Sequence, residues 1–251
     1  MSRITITLYG VLCYASFNAV FLYLVAFLLE IGVPKTINSG DAGSTANAVL
    51  INLALIAAFG LSHSVMAREG FKRRWTRYIP KAAERSTYVL QSSLFLGCTM
   101  YFWQPMPSTI WQVEGVLSWP FYAAAAAGCG LVLISTFLID HFELFGLKQV
   151  WSNQRVRAMP EADFCTPFLY RIVRHPMQLG IVILFVATPH MTVGHMLFAV
   201  AMIAYVRIGL HFEERALVRQ FGDRYRAYQL TTPMLLPLPG RRLRQRTSTP
   251  A

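Results

Sequence analysis

The residues best suited to chemistry stand at the two ends of one apolar hairpin in the last third of the chain. Arg174 and His175 come directly before the hairpin, and Glu213 and Glu214 follow its second arm. Single charged residues at the ends of membrane segments usually extend toward water and carry no function. Here both signs of charge and a histidine are grouped around one hairpin, which predicts a charged binding pocket.

The neighbouring side chains indicate what such a pocket would bind. Two carboxylates and a guanidinium suit a ligand that carries both an amine and a carboxylate. Three tyrosines nearby offer ring faces to a cation or a flat base, namely Tyr170, Tyr225 and Tyr228. A nucleotide-like cofactor from the cytosol fits this set of groups.

The composition is that of an integral membrane protein. The chain has 251 residues, of which 55% are hydrophobic and 14% charged, and its mean hydropathy is +0.42. Soluble domains carry roughly 25% charged residues. We therefore predict an all-α, polytopic transmembrane helical bundle of about five to six membrane helices in one domain. Its parts are four spanning helices in 4–139, a cytoplasmic connector at 140–176, a hairpin and cofactor-binding segment at 177–240, and a basic tail at 241–251.

The first arm of the hairpin is short. Its apolar run, 177–188, holds about twelve residues, which rise about 18 Å as a helix against about 30 Å of hydrocarbon. The fifth membrane helix is therefore either partial or extended by the residues around His175 and Pro176.

The distribution of basic residues predicts the orientation. With the N-terminus inside and the spans alternating, Lys35 is the only one of the 23 Lys and Arg residues that falls outside. This asymmetry follows the positive-inside rule, so we expect cytoplasmic termini, in a bacterial inner membrane. The net charge of +11 then reflects loops that face an anionic leaflet and not a nucleic-acid partner. The polar ends of five segments would meet on the cytoplasmic side.

Two motifs resemble a known family. R-H-P-x-x-x-G, a short apolar hairpin and E-E-x-x-L-x-x-x-F-G-x-x-Y-x-x-Y resemble the isoprenylcysteine carboxyl methyltransferase and phospholipid methyltransferase group. The matching residues are Arg174, His175, Pro176, Gly180, Glu213, Glu214, Leu217, Phe221, Gly222, Tyr225 and Tyr228. Gln178 departs from the pattern, because the family often has Tyr there. Four further segments, 63–68, 84–93, 140–151 and 188–199, resemble members of this group that methylate a small thiol, methanethiol, to dimethyl sulfide.

The resemblance implies a membrane enzyme that uses S-adenosylmethionine at a site facing the cytoplasm. Arg174 and His175 would contact the methionyl carboxylate or the ribose, and Glu213 or Glu214 would bind the ammonium group or ribose hydroxyls. Tyr225 and the segment 231–238 would close over the adenine. The implied cofactor-binding set is Tyr170, Arg174, His175, Gln178, Gly180, Glu213, Glu214, Tyr225 and Tyr228.

Thiol methylation also needs a thiolate, because the thiolate is the reactive nucleophile. The candidate bases are His141, His63, Asp140 and Glu143, with Asp140 as a possible orienting partner of His141. The connector and His63 would shape the thiol pocket. No metal site is expected, since no pair of histidines near the pocket has helix-face spacing.

Other interpretations stay open. Arg174 and His175 can simply cap a helix that starts at Pro176, Glu213 and Glu214 can form a solvated helix face, and His63 can be a buried histidine bonded to the backbone. The acceptor can be an isoprenylcysteine or a lipid, which needs a lateral opening between helices. The protein can also be a non-enzymatic transport or assembly factor, although no repeat typical of transporters is evident.

Overall fold

The computed structural model describes residues 2–155 and 164–237. The predicted basic tail and part of the predicted connector therefore lie outside the described residues. The helices are α1 (Arg3–Leu29), α2 (Thr45–Met66), α3 (Glu69–Trp75), α4 (Glu84–Phe102), α5 (Trp119–Ile139), α6 (His141–Leu144), α7 (Leu147–Arg155), α8 (Pro176–Val186), α9 (Val193–Phe221) and α10 (Asp223–Thr231). Short 3-10 turns occupy Lys81–Ala83, Gly115–Ser118 and Phe168–Arg171, and the strands β1 (Thr109–Gln112) and β2 (His190–Thr192) form one small ribbon. The predicted all-α class is confirmed.

Four helical segments of the described chain are long and apolar enough to cross a membrane. They are Arg3–Leu29, Thr45–Met66, Gly115–Ile139 and Val193–Phe221. They match the first, second and fourth predicted spans and the second arm of the hairpin. The protein is thus an integral membrane protein.

The predicted third span is α4, which is more polar than these four. It packs against both α1 and α2. Four of its hydroxyl side chains bond to the carbonyl one turn earlier, as Ser93 does with Val89 O at 2.9 Å and Thr99 with Phe95 O at 2.9 Å. This arrangement satisfies polar groups inside the helix itself, which an apolar environment requires.

The fifth helix is partial. α8 has 11 residues, about 17 Å of helix. Pro176 is its first residue, a position that suits proline because no intrahelical N–H bond is lost there. His175 has φ −129° and ψ 67°, outside the helical region, so the residues around it do not extend the helix.

Two glycines bring α8 against α5. A Cβ on Gly128 would lie 2.8 Å from the carbonyl oxygen of Gly180, and a Cβ on Gly180 would lie 2.5 Å from the carbonyl oxygen of Gly128. Only residues without a side chain allow the two backbones this close. The contact fixes the short helix, and with it His175, against a full-length span.

The antiparallel ribbon connects the far ends of the bundle. Thr109 pairs with Thr192 and Gln112 pairs with His190. The end of α8 and the start of α9 are therefore level with the segment that leads into α5. Thr192 also caps α9, because its hydroxyl accepts a bond from His195 N at 3.2 Å. The largest buried side chains of the bundle lie between these helices and include Trp103, Phe27, Phe185, Phe198 and Leu184.

Candidate functional site

Glu214 is the centre of a buried polar cluster at the end of the bundle opposite the ribbon. Arg174 Nε donates to Oε1 at 2.6 Å and Arg174 Nη2 to Oε2 at 2.9 Å. His175 Nε2 lies 2.9 Å from Oε1, the Tyr225 hydroxyl donates to Oε1 at 3.1 Å, and Gln229 Nε2 donates to Oε2 at 2.7 Å. We call these five residues the Glu214 cluster. Four of them were predicted as cofactor-binding residues, and the structure brings those four together.

The cluster also fixes the chain beyond α10. Arg174 Nη1 donates to the carbonyls of Gln229 and Thr232. The backbone N–H groups of Arg174 and His175 donate to the carbonyls of Pro233 and Met234 at 2.9 and 3.1 Å. The start of α8, the end of α9, α10 and the following segment are therefore held by one set of bonds.

Gln229 was missed by the sequence analysis. It lies four residues after Tyr225, so both side chains are on the same face of α10. That spacing was the available signal, but a glutamine on a helix has many other uses.

The carboxylate of Glu214 has little capacity left for a ligand. A carboxylate offers about four lone-pair sites, and Glu214 already faces five donor groups. Buried charge is costly unless it is paired and hydrogen-bonded in this way. The arrangement suits a group that holds four segments in place. His175 has two ring nitrogens, of which Nε2 bonds to Glu214 and Nδ1 does not.

Glu213, the preceding residue, has a different environment. Consecutive helix residues are rotated by about 100°, so the two carboxylates point in different directions. Glu213 is exposed, and in the described part of the chain it makes no ion pair. Its charge nevertheless acts on the hydroxyls of Tyr170 and Tyr88. Among the described residues Glu213 thus has no ion-pair partner, and it lies close enough to Tyr170 and Tyr88 for its charge to act on both.

The remaining predicted tyrosines pack beside the cluster. The Tyr228 hydroxyl donates to the carbonyl of Tyr170, and the Tyr170 hydroxyl lies 3.4 Å from the carbonyl of Ser135. Burial raises the pKa of Tyr170, and the charge of Glu213 raises it further. Burial also raises the pKa of Tyr228 to about 12, with Arg174 opposing the shift and Glu214 adding to it. Both hydroxyls therefore stay protonated at neutral pH.

Two predicted cofactor residues lie on α8. Gln178 is half-buried in the first turn of the helix. Gly180 is buried, and its contact with Gly128 accounts for the missing side chain. The structure thus gives Gly180 a packing role between α5 and α8.

His141, a candidate base, is enclosed by aromatic rings. It is 5% exposed and stacks on Phe137 with the ring centroids 4.2 Å apart. The Thr136 hydroxyl donates to Leu133 O at 2.7 Å, so it must accept from His141 Nδ1–H at 2.8 Å. His141 Nε2 then accepts from the Tyr14 hydroxyl at 2.7 Å. We infer this neutral tautomer from the bonding pattern, and burial lowers the pKa of His141 accordingly.

Asp140 does not orient His141, contrary to the expectation from sequence. Its carboxylate caps α6 by accepting from Glu143 N at 2.9 Å, and it also pairs with Lys148. Glu143 pairs with the same lysine at 2.9 Å. Burial alone would raise the pKa of Asp140, but the bonds from Lys148 and from Glu143 N lower it overall. Asp140 and Glu143 thus share a local salt bridge with Lys148.

His63 repeats the bonding pattern of His141 at another place. The Ser92 hydroxyl donates to the carbonyl of Tyr88 at 2.8 Å, so it accepts from His63 Nδ1–H at 2.8 Å. His63 Nε2 accepts from the Tyr88 hydroxyl at 2.6 Å. Unlike His141, both His63 and Tyr88 are half-buried. The two predicted catalytic histidines thus belong to two separate histidine–tyrosine pairs, and the sequence did not indicate either tyrosine as the partner of a histidine.

Comparison with known proteins gives the relationships of the whole chain. The model of the isoprenylcysteine carboxyl methyltransferase (ICMT) family matches residues 129–219. Methanethiol S-methyltransferase 2 of Bradyrhizobium diazoefficiens is 44% identical over 94% of this chain and 91% of its own length. The methanethiol S-methyltransferase of Pseudomonas sp. GM41(2012) is 46% identical over 92% of this chain and 89% of its own length. That of Mycobacterium tuberculosis is 44% identical over 96% of this chain and 99% of its own length.

The chain belongs to the methanethiol S-methyltransferase family. The resemblance predicted from the two motifs is confirmed, both for the wider group and for its thiol-methylating members. The ICMT match runs from α5 to the end of α9 and includes Arg174, His175, Glu213 and Glu214. The similarity to methanethiol S-methyltransferases also covers α1 to α4, and hence His63 and Tyr88. No solved structure matches the chain.

Proposed function

We propose that the protein transfers a methyl group from S-adenosylmethionine to methanethiol and releases dimethyl sulfide. The observation that carries this proposal is the identity of 44–46% to methanethiol S-methyltransferases over more than nine tenths of the chain. A chain this similar over more than nine tenths of its length has the same helices available to build the same site. The charged groups at the end of α9 give the proposal a location.

The residues near Glu213 fit this cofactor. When bound, S-adenosylmethionine supplies an electrophilic methyl group on a sulfonium centre. Its methionyl part carries an ammonium and a carboxylate, which need one anion and one cation from the protein. Glu213 makes no ion pair with another described residue. Arg85 is a cation that lies 5.2 Å from the ring centre of Tyr88, and the charge of Glu213 also acts on Tyr88. We propose Glu213 and Arg85 for these two contacts.

The Glu214 cluster then has a supporting role in the proposal. Arg174 and Glu214 fix the loop before α8, and this loop presents Tyr170 and His175 Nδ1 beside the exposed face of Glu213. Because the polar atoms of Arg174 and Glu214 are bonded to one another, we propose that they position the neighbouring groups and do not contact the cofactor directly. A rigid supporting shell of this kind keeps the ligand-contacting residues in place before the ligand binds.

The acceptor is proposed to be small. A lipid or isoprenyl acceptor needs a gap between helices, and at Gly128 and Gly180 the α5 and α8 backbones are in direct contact.

We further propose that the site faces the cytoplasm of a bacterium, with the protein in the inner membrane and both termini inside. The basic loops lie on the side of the membrane where α9 ends and α10 begins, and the positive-inside rule makes this side the cytoplasm. A C-terminal fluorescent-protein fusion, compared with a phosphatase fusion, tests this orientation.

The test of the function uses purified protein in lipid nanodiscs with methyl-labelled S-adenosylmethionine. Methanethiol should give labelled dimethyl sulfide by gas chromatography. Glu213→Gln should lower the rate at subsaturating cofactor, while Glu69→Gln, on the exposed helix α3, serves as the control of equal charge change. Product from an isoprenylcysteine or from phospholipid, with none from methanethiol, would overturn the proposed acceptor.

A further inference from the structure

His63 and Tyr88 form a pair whose donors and acceptors are fully assigned. His63 Nδ1–H is held by Ser92, whose own hydroxyl proton is committed to the Tyr88 carbonyl, so Nε2 is the free acceptor of the ring. The Tyr88 hydroxyl donates to this nitrogen at 2.6 Å. The phenol oxygen therefore keeps its lone pairs for a further donor, and the imidazole has room for one more proton.

The pair lies beside the face of α9 proposed to meet the cofactor. Tyr205 of α9 packs edge-on against His63, with centroids 6.3 Å apart, and its hydroxyl is 3.3 Å from that of Ser64. The charged and titratable groups that act on Tyr88 are Arg85, Tyr205, Glu213 and Glu84, and Arg85 also acts on His63. The two proposed cofactor contacts, Glu213 and Arg85, are thus both close enough to Tyr88 for their charges to act on it.

We infer that Tyr88 takes the proton of the substrate thiol while its own hydroxyl proton passes to His63 Nε2, so that the pair is the general base of the reaction. This inference rests on the proposed function. The S–H bond breaks as an O–H bond forms at Tyr88, and the former Tyr88 O–H bond is replaced by an N–H bond at His63. The thiol sulfur forms a bond to the donor methyl carbon, whose bond to the sulfonium breaks with both electrons staying on the donor sulfur. His63 later releases its proton to water.

The second pair, His141 and Tyr14, provides the matched comparison. It has the same donor and acceptor pattern, with a hydrogen bond of 2.7 Å between the tyrosine and the histidine. However, His141 is surrounded by Phe137, Phe142 and Phe145, and the charge that acts on it is that of Asp140. The same substitution of tyrosine by phenylalanine can therefore be made in both pairs. Tyr88 is influenced by the proposed cofactor contacts Glu213 and Arg85, whereas Tyr14 belongs to the pair that aromatic rings enclose.

The experiment compares Tyr88→Phe with Tyr14→Phe in nanodiscs. For Tyr88→Phe we expect kcat with methanethiol to fall about 100-fold at pH 7, the size typical of a lost general base. The loss should shrink by about tenfold per pH unit as the pH rises, because the free thiolate fraction grows in that proportion. An aryl thiol, which is already ionised near neutral pH, should lose far less. Tyr14→Phe should keep the pH profile of the wild type.

Calorimetry with S-adenosylmethionine separates this loss of activity from misfolding, since both variants should bind the cofactor with an affinity within about twofold of the wild type. His63→Gln provides a second variant, for which we expect the same pH profile as for Tyr88→Phe. A Tyr88→Phe enzyme as active as the wild type at pH 7, or one with an equal loss at every pH and with both thiols, would overturn the relay. A wild type that makes no thioether would overturn the proposed function and the relay together.

Discussion

Arg174 and Glu214 form a two-pronged ion pair, with Nε to Oε1 at 2.6 Å and Nη2 to Oε2 at 2.9 Å. Each side chain is only 9% exposed. The two residues are 40 positions apart, one before the short helix α8 and one near the end of α9. The pair therefore closes the hairpin at its open end, opposite the β-ribbon that closes it at the turn.

The first prediction concerns this geometry. Arg174→Lys should destabilise the protein by about 3 kcal/mol, the usual cost of breaking a buried pair. A lysine ammonium cannot reach both carboxylate oxygens and the carbonyls of Gln229 and Thr232 at once. Thermal unfolding in detergent measures the loss. The control is Arg226→Lys, because Arg226 pairs with Asp223 on the exposed face of α10 and should show no measurable change. Equal melting temperatures for the two variants would contradict the structural role of Arg174.

The second prediction separates the adjacent carboxylates. Glu214→Gln should lower the melting temperature, since it removes the charge that faces Arg174 and His175. Glu213→Gln should leave the melting temperature unchanged and weaken cofactor binding about 10- to 100-fold, equivalent to the loss of one charged hydrogen bond of about 1.5–3 kcal/mol. Calorimetry and thermal unfolding on both variants form a two-by-two test. If both residues affect binding alone, the assignment of Glu214 as a structural residue is wrong.

The contrast between these neighbours also marks the limit of the sequence analysis. The motif pattern was sufficient to identify the methyltransferase family, the apolar hairpin and the four partners Arg174, His175, Glu214 and Tyr225, because local spacing brings their helices to one end of the bundle. It left Glu213 and Glu214 interchangeable. Which carboxylate turns inward depends on how α9 is rotated against α8 and α10, and this rotation is set by packing that no local pattern records.

The two histidines illustrate the same limit over longer distances. Their positions at helix ends were evident from sequence, but their partners were not. Tyr14 is 127 residues from His141 and Tyr88 is 25 residues from His63. The bonds on both ring nitrogens decide whether a histidine can accept a proton, so the sequence alone could not distinguish His141, which aromatic rings enclose, from His63.

The third prediction tests the contact that positions α8. Gly128→Ala should destabilise the protein by about 1–3 kcal/mol, since the new Cβ would lie 2.8 Å from Gly180 O and 3.2 Å from Leu184 N. Both are backbone atoms and cannot move aside alone, so α8 must shift and His175 with it. Gly130→Ala, two residues later in α5, has nothing within 4 Å and should be neutral or stabilising, given the better helix propensity of alanine. A thermal melt and a cofactor titration of each variant measure both effects, and a harmless Gly128→Ala would mean that the helices are not in contact.

The fourth prediction is a pH dependence at the start of the connector. Lys148 pairs with Asp140 and Glu143. Its bonds to Asp140 and Glu143 raise the pKa of Lys148 above 10.5, whereas the pKa of Asp140 lies below 3.8, since the bonds from Lys148 and Glu143 N outweigh the effect of burial. A carboxyl whose pKa is lowered in the folded protein contributes to stability above its unfolded pKa, and this contribution is lost as the pH falls through the folded pKa. An amine whose pKa is raised contributes to stability below its unfolded pKa, and this contribution is lost as the pH rises through the folded pKa. The pair should therefore stabilise the protein evenly between about pH 5 and pH 10.

Lys148→Met should accordingly lower the melting temperature at pH 7 by a few degrees at most, because partly exposed pairs contribute at most about 1 kcal/mol after solvent screening. The difference from the wild type should be constant between pH 7 and pH 5 and should shrink at pH 3, as the pH falls toward the lowered pKa of Asp140 and its carboxylate begins to lose its charge. Scanning fluorimetry in detergent at pH 3, 5 and 7 measures this, with Lys81→Met, an exposed lysine in the 3-10 turn before α4, as the control. A difference that persists unchanged at pH 3 would show that the lysine stem stabilises the connector by packing and not by charge.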